Sequence, residues 1–481
     1  MLFSVTFFLN AAANFAFGLA LSAILGPAEF GRYSTVALAS ITLAGAMLDW
    51  LRYSSLRFSG DEQGSVQTES SLEAGYLIMA GFAYAAAGAA ALLGCTFGFG
   101  AALLLLTPLL AVAAHRVDFT GAKFRVRNDA HAFAVVYGLR QLFCFTLVLV
   151  VAFRTRDSVM TIAALVVANL VPAIALSARQ RMPGARLGKA RGASLVRFFV
   201  YAKPIVASLV IYQLIGLINR QAALAYLGAA PTGQLSLAAD LGQRVFATIN
   251  SLPELMLFQY ALERERMEGR AVAERQIAVN MTLVFGLMAL LAAGYVAMAP
   301  TFEALLVPAA YHGDFSRLSV ELAPGFVAYC LMTSGLNPVF QLAGRTWPVT
   351  IASLTALATD LALLQFGGVA ASADALARAY SISLGVGLVI GAALAFRNSA
   401  IRPSVRDVAV IVVTAVVVGF MIRPLNELHP HTLAAILALV VGGGVFGGTM
   451  LLCDVAGLRG LAAARWRASD SRRRAALGLK S

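Results

Sequence analysis

From residue 2 to residue 453 the chain repeats one element, an apolar stretch about twenty residues long closed by a short polar connection. Lipid offers no water to satisfy a stray N–H or C=O, so a chain of such stretches folds as spanning helices. The pattern is not the residue-by-residue alternation of an outer-membrane barrel. Composition agrees, because 59% hydrophobic residues, 13% charged residues and a mean hydropathy of +0.79 exceed what a soluble globular chain keeps in solution. The reading is an all-α polytopic membrane protein with spans at 2–25, 33–51, 75–95, 99–114, 132–153, 158–177, 198–226, 235–258, 277–298, 320–342, 348–366, 375–396, 408–422 and 433–453, about fourteen transmembrane helices. The first has no positive lead and continues into a paired second span, which marks it as a retained helix rather than a signal peptide.

The net charge of +13 falls mostly on alternate connections. The even-numbered ones hold clusters such as Arg116, Lys123, Arg125 and Arg127, or Arg179 through Arg197, and the tail adds Arg465 to Lys480. The odd-numbered ones hold Arg32, Arg154, Arg156, Arg317 and Arg423. Positive residues stay inside, so both termini are expected in the cytoplasm, and the basic tail reads as a topology and lipid-headgroup feature rather than a nucleic-acid site. Four single cysteines, Cys95, Cys144, Cys330 and Cys453, lie in apolar stretches and read as packing residues.

One turn is written twice. Leu25-Gly26-Pro27-Ala28-Glu29-Phe30-Gly31-Arg32-Tyr33-Ser34 matches Leu227-Gly228-Ala229-Ala230-Pro231-Thr232-Gly233-Gln234-Leu235-Ser236 in its Leu, both Gly and its Ser. Each copy follows the first helix of its half, which divides the chain into a six-helix bundle at 1–177, a basic cytoplasmic linker at 178–197 and a second six-helix bundle at 198–396. Two additional helices occupy 397–453 and a basic tail 454–481. An even number of helices per half relates the halves by an axis along the membrane normal. In the last helix, Gly442, Gly443, Gly444, Gly447 and Gly448 offer small-residue spacing for close packing.

Charges inside apolar stretches mark a pathway, since each costs at least about 2.5 kcal/mol at mid-bilayer. In the eighth span Asp240, Arg244, Ser251 and Glu254 fall on one helical face. Two readings stay open for it: a polar lining, or an internal Asp240–Arg244 pair at i,i+4 that serves assembly. Gln213 and Arg220 share a face of the seventh span, and Arg220 is near enough to the outer surface for snorkelling to compete; Lys203 is expected to snorkel. Asn10 and Asn14 give the first span a polar face that reads as interhelical glue first and as lumen lining second, and Arg140 beside Gln141 is a lining candidate in the fifth. Asp49 and Arg52 close the second span as an acid–base lock. Asp360 stands alone, and with Asp240 and Glu254 it is a candidate for the coupling ion. No phosphate loop, metalloprotease helix or cysteine–histidine cluster occurs, so no cofactor, metal or catalytic residue is expected.

The opening turn, the Asp49-Trp50-Leu51-Arg52 end of the second span, Leu56-Arg57-Phe58 after it, and the repeated halves resemble the polysaccharide transporters, or Wzx-type oligosaccharide flippases, of the multidrug/oligosaccharidyl-lipid/polysaccharide (MOP) exporter superfamily. The motif likeness covers mainly the first 60 residues, the architectural one the whole chain. It departs before the first span, where the basic lead-in of the seventh has no counterpart and Lys203 falls opposite Met1, which leaves open whether Met1 is the true start. The resemblance implies a V-shaped, MATE-like fold in the bacterial inner membrane. Its cavity would be lined by spans one, two, seven and eight, and it would move undecaprenyl-pyrophosphate-linked oligosaccharide for O-antigen or exopolysaccharide. It also allows a polysaccharide polymerase and other export machinery as partners, besides membrane lipids.

On that basis Arg244, Arg140 and Arg220 would meet pyrophosphate, with Asn10, Asn14, Gln213 and Ser251 meeting sugars. A cation-coupled drug exporter of the same superfamily is the alternative, favoured by Asp240, Glu254 and Asp360 and opposed by the three arginines. A membrane-embedded polymerase or glycosyltransferase fits less well, because the longest outer connection, 299–319, carries few groups of catalytic type.

Overall fold

The computed structural model describes residues 2–58, 65–94, 100–176, 186–343, 347–368, 371–397 and 401–460. Among them every regular element is helical. In chain order these are α1 (Leu2–Met47), α2 (Asp49–Phe58), α3 (Ser65–Leu92), α4 (Ala101–Val126), α5 (Ala130–Phe143), α6 (Leu149–Thr155), α7 (Ser158–Ala175), α8 (Gly192–Tyr226), α9 (Ala229–Glu268), α10 (Arg270–Ala297), α11 (Ala299–Leu306), α12 (Asp314–Cys330), α13 (Asn337–Leu342), α14 (Trp347–Phe366), α15 (Ala373–Arg397), α16 (Val405–Ile422) and α17 (His431–Leu452).

Among the described residues ten helical segments are long and apolar enough to cross a membrane, eleven if the bent α8 is counted. The chain is a multi-pass membrane protein. This measure does not return fourteen spans. The segment Val5–Met47 counts once although it carries two expected spans. Polar and charged residues, Asp240 and Arg244 among them, lower the hydropathy of α9.

The break inside α1 is at Gly26, whose φ of 70° and ψ of 172° lie outside the helical region. A glycine reaches that φ without steric cost, and Pro27 has no N–H to lose where the ladder is interrupted. Gly228, at φ 91°, separates α8 from α9 in the same way. The two matched turns then pack on each other. A Cβ on Gly31 would overlap the Ala229 carbonyl oxygen and come 2.8 Å from the Gly233 nitrogen. One on Gly233 would overlap the Pro27 carbonyl oxygen, with its carbon at 2.7 Å.

By packing, the chain forms two compact units: Met1–Arg244 with Val307–Leu318 and Val349–Gly387, and Val245–Leu306 with Ser319–Pro348 and Leu388–Ser481. In the first, Leu48, Trp50, Leu51, Tyr76, Phe119 and Phe198 form a core. Helices α3 and α4 run past their apolar stretches, which the sequence placed at 75–95 and 99–114. The extensions are held by charge: buried Lys123 donates to Glu69 (2.9 Å) and Glu73 (2.5 Å), while Arg116 reaches Glu73 and Arg127 reaches Glu69. Lys123 and its neighbours therefore sit on a helix, not in a loop.

In the second unit α16 and α17 pack on α10 through Ile411, Val418, Ile422, Ala434, Ala438 and Phe446. Of the five glycines in α17, Gly442 comes close to Val418 and Ile422, and the other four meet nothing within 4 Å. The small-residue stripe thus brings the two helices together at one position. Cys144 and Cys330 are buried thiols, as packing residues should be, and Cys95 lies outside the described residues.

Candidate substrate site

The polar residues of the first unit converge from α1, α5, α8 and α9. Asn10 and Asn14 share a face of α1 one turn apart, and both carboxamide oxygens accept from Gln141 Nε2 on α5, at 2.7 and 3.0 Å. Arg244, on α9, donates through Nη1 to the backbone carbonyl of Asn14, and its guanidinium lies against Gly18, where the missing side chain leaves room. Arg140 precedes Gln141. Its Nε is buried without a hydrogen-bond partner, and it forms no salt bridge among the described residues. Tyr33, on α1, is within electrostatic reach of Arg140, Arg244, Asp240 and Cys144. One turn past Arg140 the helix opens into a π-turn at Cys144–Val148, a local widening often found at working sites.

Arg220 behaves differently from its two counterparts. It is buried rather than snorkelling, and bonds Asp240 at 2.5 Å through Nη2 and the Ser34 carbonyl at 3.3 Å through Nη1. Asp240 is thereby paired across helices, so the intrahelical pair with Arg244 does not form. Of the three arginines, Arg140 and Arg244 have no salt bridge among the described residues, and both belong to the helices that carry or meet the three carboxamides.

The remaining candidates lie elsewhere. Gln213 faces Gly45 of α1, its Oε1 buried and without a partner. Lys203 is exposed. Ser251 belongs to the second unit and donates to the Thr248 carbonyl of its own helix at 2.7 Å. The side chain of Glu254 lies outside the described residues. Asp360, on α14, is fully buried and has no salt bridge among the described residues. Asn219 Nδ2 donates to both its oxygens, at 2.9 and 3.0 Å, and Ser383 Oγ to one at 3.2 Å, while Asn219 Oδ1 is left without a partner. Sequence reasoning passed over Asn219 and Ser383. The available signal was Asn219 beside Arg220 inside an apolar run.

The second unit carries an apolar cleft of about 300 Å³, walled by Val245, Ile249, Leu287, Leu291, Val418 and Leu439 and floored by Gly442 and Gly443.

The fold is shared with solved membrane transporters. Lipid II flippase MurJ in an inward closed conformation matches with a TM-score of 0.73 at 12% identity, over 94% of this chain and 98% of its own. A MATE in the bent conformation matches with a TM-score of 0.52 at 13% identity, over 86% and 95%. An inward-facing multidrug resistance MATE family transporter of the MOP superfamily matches with a TM-score of 0.50 at 12% identity, over 82% and 94%. No protein-family model and no curated protein matches the sequence. The helical fold expected from the sequence is therefore the one these solved transporters share.

Proposed function

We propose that the protein is a flippase which carries an oligosaccharide, linked to an isoprenoid through pyrophosphate, across the bacterial inner membrane by alternating access, in the making of a surface polysaccharide such as O-antigen or exopolysaccharide. The observation that carries this reading is the pair Arg140 and Arg244, two guanidinium groups without an acidic partner among the described residues. A guanidinium presents a planar fork that matches phosphate oxygens in pairs, and in a low-dielectric surround two unneutralised ones attract an anion. A cationic drug would meet repulsion there. Asn10, Asn14 and Gln141 supply both donors and acceptors, as a sugar requires. The apolar cleft of the second unit suits an isoprenoid tail.

Asp360 is the coupling-ion site in this reading, with Asn219 and Ser383 offering further oxygens to a cation or proton. Asp240 is set aside from that role by its arginine. Two six-helix halves, two further helices and cytoplasmic termini complete the proposal, supported by the matched turns at Gly31 and Gly233.

The test measures membrane protein level together with surface polysaccharide. Arg244→Ala and Arg140→Ala should each abolish export at normal protein level, and Arg244→Lys should retain part of it, since Lys keeps the charge without the fork. Full export by the Arg140→Ala, Arg244→Ala double variant would refute the reading.

A further inference from the structure

In the first unit the ring of His115 is buried, 3% exposed, and neither nitrogen has a hydrogen-bond partner among the described residues. It packs beside Tyr76 and Phe119, with ring centroids at 5.7 and 6.1 Å. A buried polar group without a partner calls for a reason. Nε2 looks across 3.6 Å to Oδ1 of Asp49, just beyond hydrogen-bond distance. One shared proton and a small side-chain movement would join them.

We propose that Asp49 and His115 form a proton-binding site, in which the protonated Asp49 carboxyl donates its hydrogen to Nε2 of His115. Asp49 opens α2, just past the apolar segment Val5–Met47, with Arg52 Nε at 3.2 Å. Burial pushes its carboxyl up to about 6, while Arg52 pulls it down and Asp118 adds to the rise. The carboxyl, rather than the ring, keeps the proton, because the ring is buried and the guanidinium groups of Arg52 and Arg116 act against a positive charge on it.

Other groups around the pair are accounted for. From α3, Tyr76 donates to the Val112 carbonyl and Glu73 is held by Lys123 and Arg116. From α4, Asp118 accepts from Tyr137 of α5 at 3.1 Å. From α8, Gln213 Oε1 comes near Gly45, the residue Asp49 Oδ2 also approaches. Protonation removes the charge that holds Arg52 and leaves it to Asp118, whose field it already feels. Asp118 is bonded to Tyr137, one turn before Arg140. Proton uptake thus changes the charge balance one helix turn from Arg140.

The site does not depend on what is transported, so its failure leaves the roles of Arg140 and Arg244 intact. The experiment uses full-length protein in lipid nanodiscs, acidified from about pH 8 to about pH 5, with infrared detection of protonated carboxyls. Measured in the Asp360→Asn background, so that the fully buried carboxyl of Asp360 does not contribute, one carboxyl band should grow in with a midpoint near the value for Asp49 and be missing once Asp49→Asn is added. Arg52→Gln, which removes the opposing charge, should raise that midpoint by about one unit, a tenfold gain in proton affinity. His115→Phe, of similar shape but unable to accept, should lower it by about as much. If Asp49→Asn does not fold, the opposite shifts of the other two variants carry the test. A band that Asp49→Asn leaves in place, or a midpoint that His115→Phe does not move, would overturn the proposal.

Discussion

Gly31 and Gly233 meet backbone to backbone, each standing where a side chain would drive into the other's turn. They occupy equivalent places in the two copies of one motif, so the repeat is also a contact. A methyl group at either position has no flexible neighbour to displace, because the atoms it meets are main chain. Gly233→Ala and Gly31→Ala should each destabilise the protein by about 3 kcal/mol or more, as severe overpacking does. Gly447→Ala, which meets nothing within 4 Å, is the control and should be neutral. Thermal unfolding in detergent reads both.

Arg220 and Asp240 should behave as a structural pair. Breaking a fully buried ion pair costs about 3–5 kcal/mol. Asp240 is 26% exposed, so water screens part of this and either single alanine should cost about 2 kcal/mol. The double alanine should recover part of the loss and, if the pair only supports the bundle, most of the export. Protein level and export in the three variants check this.

Filling the cleft of the second unit tests the isoprenoid tail. Gly443 borders the cleft and a Cβ there meets nothing within 4 Å, so Gly443→Leu starts its side chain in open space at the cleft. Export should fall about tenfold, corresponding to about 1.4 kcal/mol of lost tail binding, while abundance stays normal. Gly444→Leu, away from the lining, should leave export unchanged.

Asp360→Asn keeps the side-chain shape, removes the charge and exchanges one of the two oxygens that accept from Asn219 for a donor. An ion drives a cycle only if it favours one state over the other, so this variant should lose ion-dependent transport and retain folding. Transport measured against pH and sodium concentration decides it. A variant with both dependences intact would remove Asp360 from coupling.

Asp49 makes a pH-dependent contribution to stability. Its folded value, about 6, is above the 3.8 of an ordinary aspartate, so between those values the folded protein holds a proton that the unfolded chain has lost. Stability from this group is fully present below the unfolded value and is lost as pH rises through about 6. Unfolding temperature should therefore fall across that window, and Asp49→Asn should flatten the fall.

Much of this architecture could be read from residue order, because each apolar stretch has to be a helix in lipid. The repeated turn was visible as a Leu-Gly-Gly-Ser pattern, but nothing in one dimension says that two such turns touch. Pairing was less legible still. Asp240 and Arg244 are one turn apart on α9, which offers an intrahelical partner, yet Asp240 meets Arg220 of the preceding helix because α8 and α9 fold back on each other. Nor does residue order mark His115, since its burial depends on Tyr76 and Phe119 arriving from α3 and from the next turn of α4.

The ladder that surrounds Lys123 bears on biogenesis. As α3 and α4 leave the ribosome, Arg116, Lys123 and Arg127 are unpaired cations, and the insertion machinery weighs them as such. Once the helices dock, Glu69 and Glu73 absorb them. In the proposed orientation, charge that instructs insertion of the nascent chain is thus converted into an internal fastening in the mature one. Replacing both glutamates should therefore leave topology untouched while loosening the finished bundle.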